Sequence, residues 1–78
     1  MNHPQKFLIS TDCQEWREVY VPSWYTAESL YRGICSDYMP STRVFVSDEA
    51  RQTVTAYWRD LDRNGNLIQI HSATFERA

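Results

Sequence analysis

The turn Arg63-Asn64-Gly65-Asn66 constrains this fold most strongly, because it lies between two runs of β-forming residues. Asn-Gly readily adopts the left-handed backbone that a tight hairpin turn requires. The runs on its two sides, residues 52–60 and 67–75, are rich in β-branched and aromatic side chains, such as Thr53 and Tyr57. The sequence therefore predicts a β-hairpin in the last third of the chain.

A second helix at residues 48–61 is the alternative for the first of these runs. Ser47 would cap this helix, and Asp48 and Glu49 would lie in its first turn. Its buried face would be the stripe Ala50, Val54, Tyr57, Trp58 and Leu61. The Asn-Gly turn that follows favours the strand.

One helix is predicted after Pro22, where Ser23 or Thr26 can cap its first turn and Glu28 complements the helix dipole. Apolar residues recur there at spacings of three and four, as expected for a helix with one buried face. These residues are Ala27, Leu30, Tyr31, Ile34 and Tyr38. Pro40 disfavours helical geometry at Met39, so we expect the helix to end near Tyr38.

Three further strands are predicted, at residues 6–11, 16–21 and 43–46. Residues 1–5 are expected to be a disordered lead-in, and residues 6–78 a single domain, since a chain of 78 residues has room for only one core. The predicted fold class is α+β, with a small, mostly antiparallel sheet in the order β-β-α-β-β-β. One helix packs on one face of this sheet.

Charge and hydropathy narrow the range of partners. The chain has a formal net charge of −2 and only one Lys, Lys6, so duplex nucleic acid is disfavoured as a partner. No apolar run approaches the roughly 18 residues that a membrane span needs. The first residues are polar and do not resemble a signal peptide. We therefore expect a soluble protein in the cytoplasm.

The motifs that suggest chemistry are weak. Residues 60–65 match the first half of a calcium-binding loop, but His71 stands where that loop needs a bidentate Glu, and a polar hairpin turn explains the match. Cys13 and Cys35 have no metal-ligand spacing with each other or with His3 and His71, and we expect both to be reduced thiols. We predict no metal, no cofactor and no enzymatic activity.

Aromatic side chains give the best functional lead. Trp16 and Tyr20 should lie on the sheet face opposite Val19 and Val21, where a single helix cannot cover them. Exposed aromatic residues are typical of protein-binding hot spots. The candidate protein-binding residues are Trp16, Tyr20, Trp24, Tyr25 and Trp58, with the acids Glu15 and Glu18.

In size, acidity and layout the chain resembles small phage-encoded inhibitors of host machinery, including anti-CRISPR proteins. That resemblance implies a non-catalytic protein-binding domain that inhibits or adapts a larger complex. These proteins share no diagnostic motif, so no residue role is carried over. One alternative is a single-stranded nucleic-acid-binding domain that stacks bases on sheet aromatics. The other is a small enzyme using Cys13 or Cys35 with His71. A homodimer, through a sheet edge or the aromatic face, is also considered.

Overall fold

The computed structural model describes residues 4–34 and 43–77, which form one antiparallel sheet and one helix. The elements are β1 (Gln5–Ser10), β2 (Arg17–Val21), α1 (Ala27–Ile34), β3 (Val44–Asp48), β4 (Thr53–Leu61) and β5 (Leu67–Glu76). The strands lie side by side in the order β2-β1-β3-β4-β5, and every neighbouring pair is antiparallel. The predicted α+β class and element order are confirmed.

The ambiguous segment 48–61 forms a turn and β4, so the alternative second helix is wrong. Asp48 Oδ1 accepts hydrogen bonds from the backbone amides of Ala50, at 3.1 Å, and Arg51, at 3.3 Å, much as a helix cap would. Gln52 then adopts a positive φ of 54°, which reverses the chain. β4 pairs with β3 on one side and β5 on the other, and this pairing outweighs the local helical pattern.

Some predicted boundaries differ by one or two residues from those in the structure. β1 begins at Gln5, which we had placed in the lead-in, and β2 begins at Arg17 rather than Trp16. The Gln5 amide donates hydrogen bonds to the carbonyls of Ser23 and Tyr25, which fastens the loop after β2 to the sheet. The predicted end of the helix near Tyr38 lies outside the described residues.

Helix α1 begins at its predicted cap and buries its predicted face. Thr26 Oγ1 accepts the backbone amide of Ser29 at 3.1 Å, which satisfies one of the first free N–H groups of the helix. Leu30 and Tyr31 are buried, and the Tyr31 ring stacks on Tyr57 of β4 with centroids 4.8 Å apart. In the part of the chain that the structure describes, no helix has the length and apolar character needed to cross a membrane.

The hydrophobic core lies between α1 and one face of the sheet. Its fully buried sheet residues alternate along β1 and β3, as the period of a strand requires. The core residues are Phe7, Ile9, Val21, Leu30, Tyr31, Val44, Val46 and Tyr57. All three central strands therefore contribute, and the domain depends on this single core.

A β-bulge interrupts the hairpin of β4 and β5 near its tip. Asp60 pairs with Gln69, but the next residue, Leu61, pairs with Leu67, so β5 carries one extra residue at Ile68. From Gln69 onward the pairing of β5 with β4 is regular. The straight part of β5 therefore begins at Gln69.

Shortening a core side chain should destabilise the domain much more than the same change on the surface. We expect Ile9→Val, at a position 1% exposed, to lower the free energy of unfolding by about 0.5–1.5 kcal/mol. Ile68→Val, at a position 65% exposed, is the matched control and should change it by less than about 0.5 kcal/mol. Urea unfolding of dilute protein measures both. Equal losses would show that Ile9 is not a core residue.

Alkaline pH should destabilise the fold through Tyr57. Burial, and then the negative charge of Glu28, raises the pKa of Tyr57 above its ordinary value of 10.0. A raised folded-state pKa contributes stability that is complete below the unfolded-state pKa and is lost as the pH rises through the folded-state pKa. Tyr57→Phe cannot ionise there, so stability measured from pH 8 to 12 should fall less steeply in the variant. Identical slopes would contradict this role.

Candidate functional site

The sheet face opposite α1, here called the open face, carries a patch of large apolar side chains. Leu8, Ser47, Val54 and Phe75 follow one another across adjacent strands, because each is the cross-strand partner of the next. Directly paired residues point to the same face of a sheet. The open-face patch consists of Leu8, Phe45, Val54, Trp58 and Phe75. The first four are half-buried, and Phe75 is 59% exposed.

Trp58 lies at one end of this patch and contacts two other side chains. The Arg43 guanidinium carbon lies 4.8 Å from the centroid of the indole ring, a cation–π arrangement. The His71 ring stacks on the indole with centroids 5.4 Å apart and planes 14° from parallel. His71 Nε2 also contacts Asp60 Oδ2 at 2.5 Å. The Trp58 ring therefore contacts both Arg43 and His71, and His71 in turn contacts Asp60.

Paired charges lie around the other end of the patch. Lys6 Nζ lies 3.8 Å from Glu18 Oε1, and both residues are cross-strand neighbours of open-face positions. The Arg77 guanidinium contacts the Glu49 carboxylate and donates a hydrogen bond to Ser47 Oγ at 3.3 Å. Because each of these two cations has an acidic partner, Lys6 and Arg77 do not form a basic stripe of the kind that tracks a phosphate backbone.

The structure brings some of the sequence-predicted residues to the open face. Tyr20 is 62% exposed and points the same way as its pairing partner Lys6, and Glu18 lies on this face beside it. Trp58 belongs to the open-face patch. Trp16 is half-buried immediately before β2, and Glu15 is exposed in the loop between β1 and β2.

Trp24 and Tyr25 lie elsewhere, in the loop that leads into α1. Tyr25 is half-buried and packs against the core cluster on the helix side of the sheet. Trp24 is 70% exposed, with its ring centroid 6.4 Å from that of Tyr25. The seven predicted residues therefore do not form a single surface.

Sequence reasoning that looked only for Trp and Tyr missed most of the open-face patch. Leu8 and Phe45 alternate with core residues along their strands, since Leu8 lies between Phe7 and Ile9, and Phe45 lies between Val44 and Val46. That alternation was the available signal. An apolar residue directly between two core positions of a strand must point to the opposite face.

The calcium-like segment 60–65 is a hydrogen-bonded turn. Asp62 Oδ1 accepts the backbone amides of Asn64, at 2.8 Å, and Asn66, at 2.9 Å, and Gly65 has the positive φ of 86° that the turn needs. The amide of Asn66, and after it that of Asn64, lowers the pKa of Asp62. Across residues 4–34 and 43–77, no three His, Cys, Asp or Glu side chains are grouped as a metal site would require.

In the loop between β1 and β2, an Asp carboxylate likewise accepts backbone amides of the turn. The backbone amides of Gln14, and then Glu15, hydrogen-bond to Asp12 and lower its pKa.

Cys13 is a free, exposed thiol with a positive φ of 61°, whereas His71 lies on β5 at the far edge of the sheet. Asp12 and Glu15 also line a groove of about 220 Å³. Cys35 and His3 lie outside the described residues.

Comparison with protein-family models finds no match to this sequence, and comparisons with curated proteins and with solved structures find none either. The functional argument therefore depends on the geometry of this chain alone.

Removing the charge of Asp62 should weaken the hairpin in a pH-dependent way. A lowered folded-state pKa contributes stability that is present above the unfolded-state pKa, near 3.8, and is lost as the pH falls through the folded-state pKa. Asp62→Asn keeps an acceptor oxygen for the turn but has no charge. The stability advantage of the wild type over this variant should be largest above about pH 5 and shrink in acid. Thermal unfolding from pH 2 to 7 measures the difference, and a pH-independent difference would contradict the assignment.

Proposed function

We propose that this chain is a non-catalytic protein-binding domain that inhibits or adapts a larger macromolecular complex, and that it docks through the open-face patch together with Tyr20. The observation that carries this proposal is the apolar sheet face that no described element covers. A monomer rarely leaves a contiguous surface of large apolar side chains exposed unless that surface binds something.

The composition of the open face supports a protein partner. Aromatic residues and Arg are enriched in protein interfaces, and a polar rim normally surrounds an apolar centre. Here Phe45 and Val54 lie towards the centre, while the Lys6–Glu18 pair and the Arg77–Glu49 contact lie around them. Tyr20 adds a large, rigid and accessible ring at the edge. A partner with an apolar, shallow docking surface fits this arrangement best.

Charge has a smaller part in the proposed interaction. Several of the carboxylates that could mimic the charge of nucleic acid already form ion pairs or hydrogen bonds within the domain. Asp48 is 5% exposed and pairs with Arg51 at 2.8 Å, and the carboxylates of Asp12 and Asp62 accept backbone amides. Glu15 and Glu18 remain as exposed acids near the open face, where they would steer a basic partner more than hold it.

The inhibitor role is supported by the small size, the acidity and the resemblance of type to phage-encoded inhibitors. Such a protein needs one docking surface and no chemistry of its own, which agrees with the architecture described here. We place its action in the cytoplasm on the same grounds. Trp24, on the helix side, is a separate exposed aromatic and forms no part of the proposed surface.

Single-stranded nucleic acid is the second candidate, favoured by the Arg43 and Trp58 stack on a sheet face. Two observations weigh against it. The Trp58 ring already contacts both Arg43 and His71, so a base would have to displace one of them. The cations at the other end of the patch, Lys6 and Arg77, also contact acidic side chains. Such binding would weaken steeply with salt, whereas docking of apolar side chains would not.

The proposed surface can be tested with two exposed aromatic residues, Tyr20 on the open face and Trp24 in the loop that leads into α1. A partner captured from the native host would be purified, and its affinity measured for the wild type, Tyr20→Ala and Trp24→Ala. We expect Tyr20→Ala to weaken binding by about tenfold, as for a hot-spot aromatic, and Trp24→Ala to leave it within about twofold. Circular dichroism checks that both variants fold.

Two results would contradict the proposal. One is a larger loss from Trp24→Ala than from Tyr20→Ala, which would place the interface at the helix entrance. The other is tight binding of a single-stranded oligonucleotide at low salt that disappears as salt is raised, which would favour the second candidate.

A further inference from the structure

β5 forms one edge of the sheet, and among the described residues no strand pairs with its outer side. Edge strands are normally protected against pairing by short length, by charge or by proline. The opposite edge strand, β2, has such protection, since it has five residues, includes Arg17 and Glu18, and ends before Pro22. β5 has ten residues and contains neither Pro nor Lys.

The backbone of β5 presents a regular set of outward hydrogen-bonding groups. The Arg77 amide donates to the Gln52 carbonyl at 2.9 Å, so Arg77 directs its polar groups towards the side of β4. Along an antiparallel strand, successive residues direct their backbone N–H and C=O groups to opposite sides of the strand. It follows that Ile70, Ser72 and Thr74 direct their N–H and C=O groups towards the free edge.

The bulge at Ile68 limits the straight, pairable part of this edge to residues 69–77, whose midpoint is Ala73. Within residues 69–77 the titratable side chains are His71, Glu76 and Arg77. An antiparallel pairing of two such strands can keep like charges from lying directly opposite each other.

We propose that this edge binds a second copy of the same chain. The two β5 strands would pair antiparallel about a two-fold axis through Ala73, giving one continuous sheet of ten strands, five from each copy. The small Ala73 side chains would face each other at the axis. This inference does not depend on the proposed partner of the open face.

Side chains on the open face support this register. With the axis at Ala73, His71 of one copy lies opposite Phe75 of the other, in a pair without direct backbone hydrogen bonds, where side chains come closest. Phe75 is 59% exposed in the single chain and would become covered. Its ring would also extend the existing stack of Trp58 and His71 across the dimer.

Charge complementarity supports the same register at both ends of the pairing. Asp60 pairs with Gln69, which would lie opposite Arg77 of the second copy, so an acid and a guanidinium would share one row of the open face once Arg77 leaves its contact with Glu49. On the helix face, Arg59 pairs with Ile70, which would lie opposite Glu76 of the second copy. Residues two strands apart are separated by about 10 Å, which two long side chains can span.

If the two-fold axis is shifted by one residue in either direction, these side-chain matches are lost. With the axis at Ser72, Gln69 would face Phe75 and both charged rows would disappear. With the axis at Thr74, His71 would face Arg77 and the number of paired residues would fall. Since this interface consists of one strand pair and few large side chains, it is smaller than a standard protein interface, and we expect a concentration-dependent dimer.

Sedimentation velocity over a range of concentrations tests the dimer, with Ser72→Pro as the blocking variant. Proline removes an outward N–H without touching a bond to β4, so the variant should fold but remain monomeric. Ser72→Thr keeps the N–H and should dimerise like the wild type. A protein that stays monomeric at every concentration, or a folded Ser72→Pro that still dimerises, would overturn the proposal.

A cysteine cross-link tests the register and does not rely on the proline variant folding. In a Cys13→Ser, Cys35→Ser background, Ala73→Cys places two thiols directly opposite each other at the axis, within disulfide range. Phe75→Cys is the control, because its thiol would face His71 of the other copy. Mild oxidation should give covalent dimer with the first variant only. Equal cross-linking of both, or none with Ala73→Cys, would exclude the Ala73 register.

Discussion

The packing of α1 against one face of the sheet determines most of this structure. Leu30 and Tyr31 of α1 are buried against that face. The stack of Tyr31 on Tyr57 joins α1 to β4, and the buried core forms around that contact. On the other face none of the described elements packs over the sheet, and side chains such as Leu8 and Val54 are half-buried there.

Three of the ten acidic residues stabilise turns. Asp12, Asp48 and Asp62 each follow or end a strand, and each carboxylate accepts two backbone amides of the turn that comes next. This use of Asp in turns is general, since its short side chain reaches the amides two and three residues ahead. These three carboxylates are therefore engaged within the domain and contribute less to a surface that would attract a basic partner.

The elements with one dominant local signal were predictable from sequence. Thr26 as cap and the stripe containing Leu30 and Tyr31 located α1, and Asn64-Gly65 located the last hairpin. Residues 48–61 carried two competing local signals, and the pairing of this segment with the strands on both sides of it decides between them. Strand order also depends on the non-local pairing of β1 with β3. Leu8 and Phe45 were missed because alternation was applied to Trp16 and Tyr20 but not to β1 and β3.

The two proposed surfaces constrain each other. A two-fold axis through Ala73 runs perpendicular to the sheet, because both copies lie in one continuous sheet, so their open faces point the same way. The dimer would thus present two copies of the open-face patch side by side, with β2 and its charges at each outer end. A partner with two docking sites could bind both patches at once, and its avidity would then exceed the affinity of one patch. Phe75 lies at the junction, since it belongs to the open-face patch and faces His71 of the second copy. A substitution at Phe75 would affect both surfaces, whereas Tyr20, near the opposite edge, would affect only the open face.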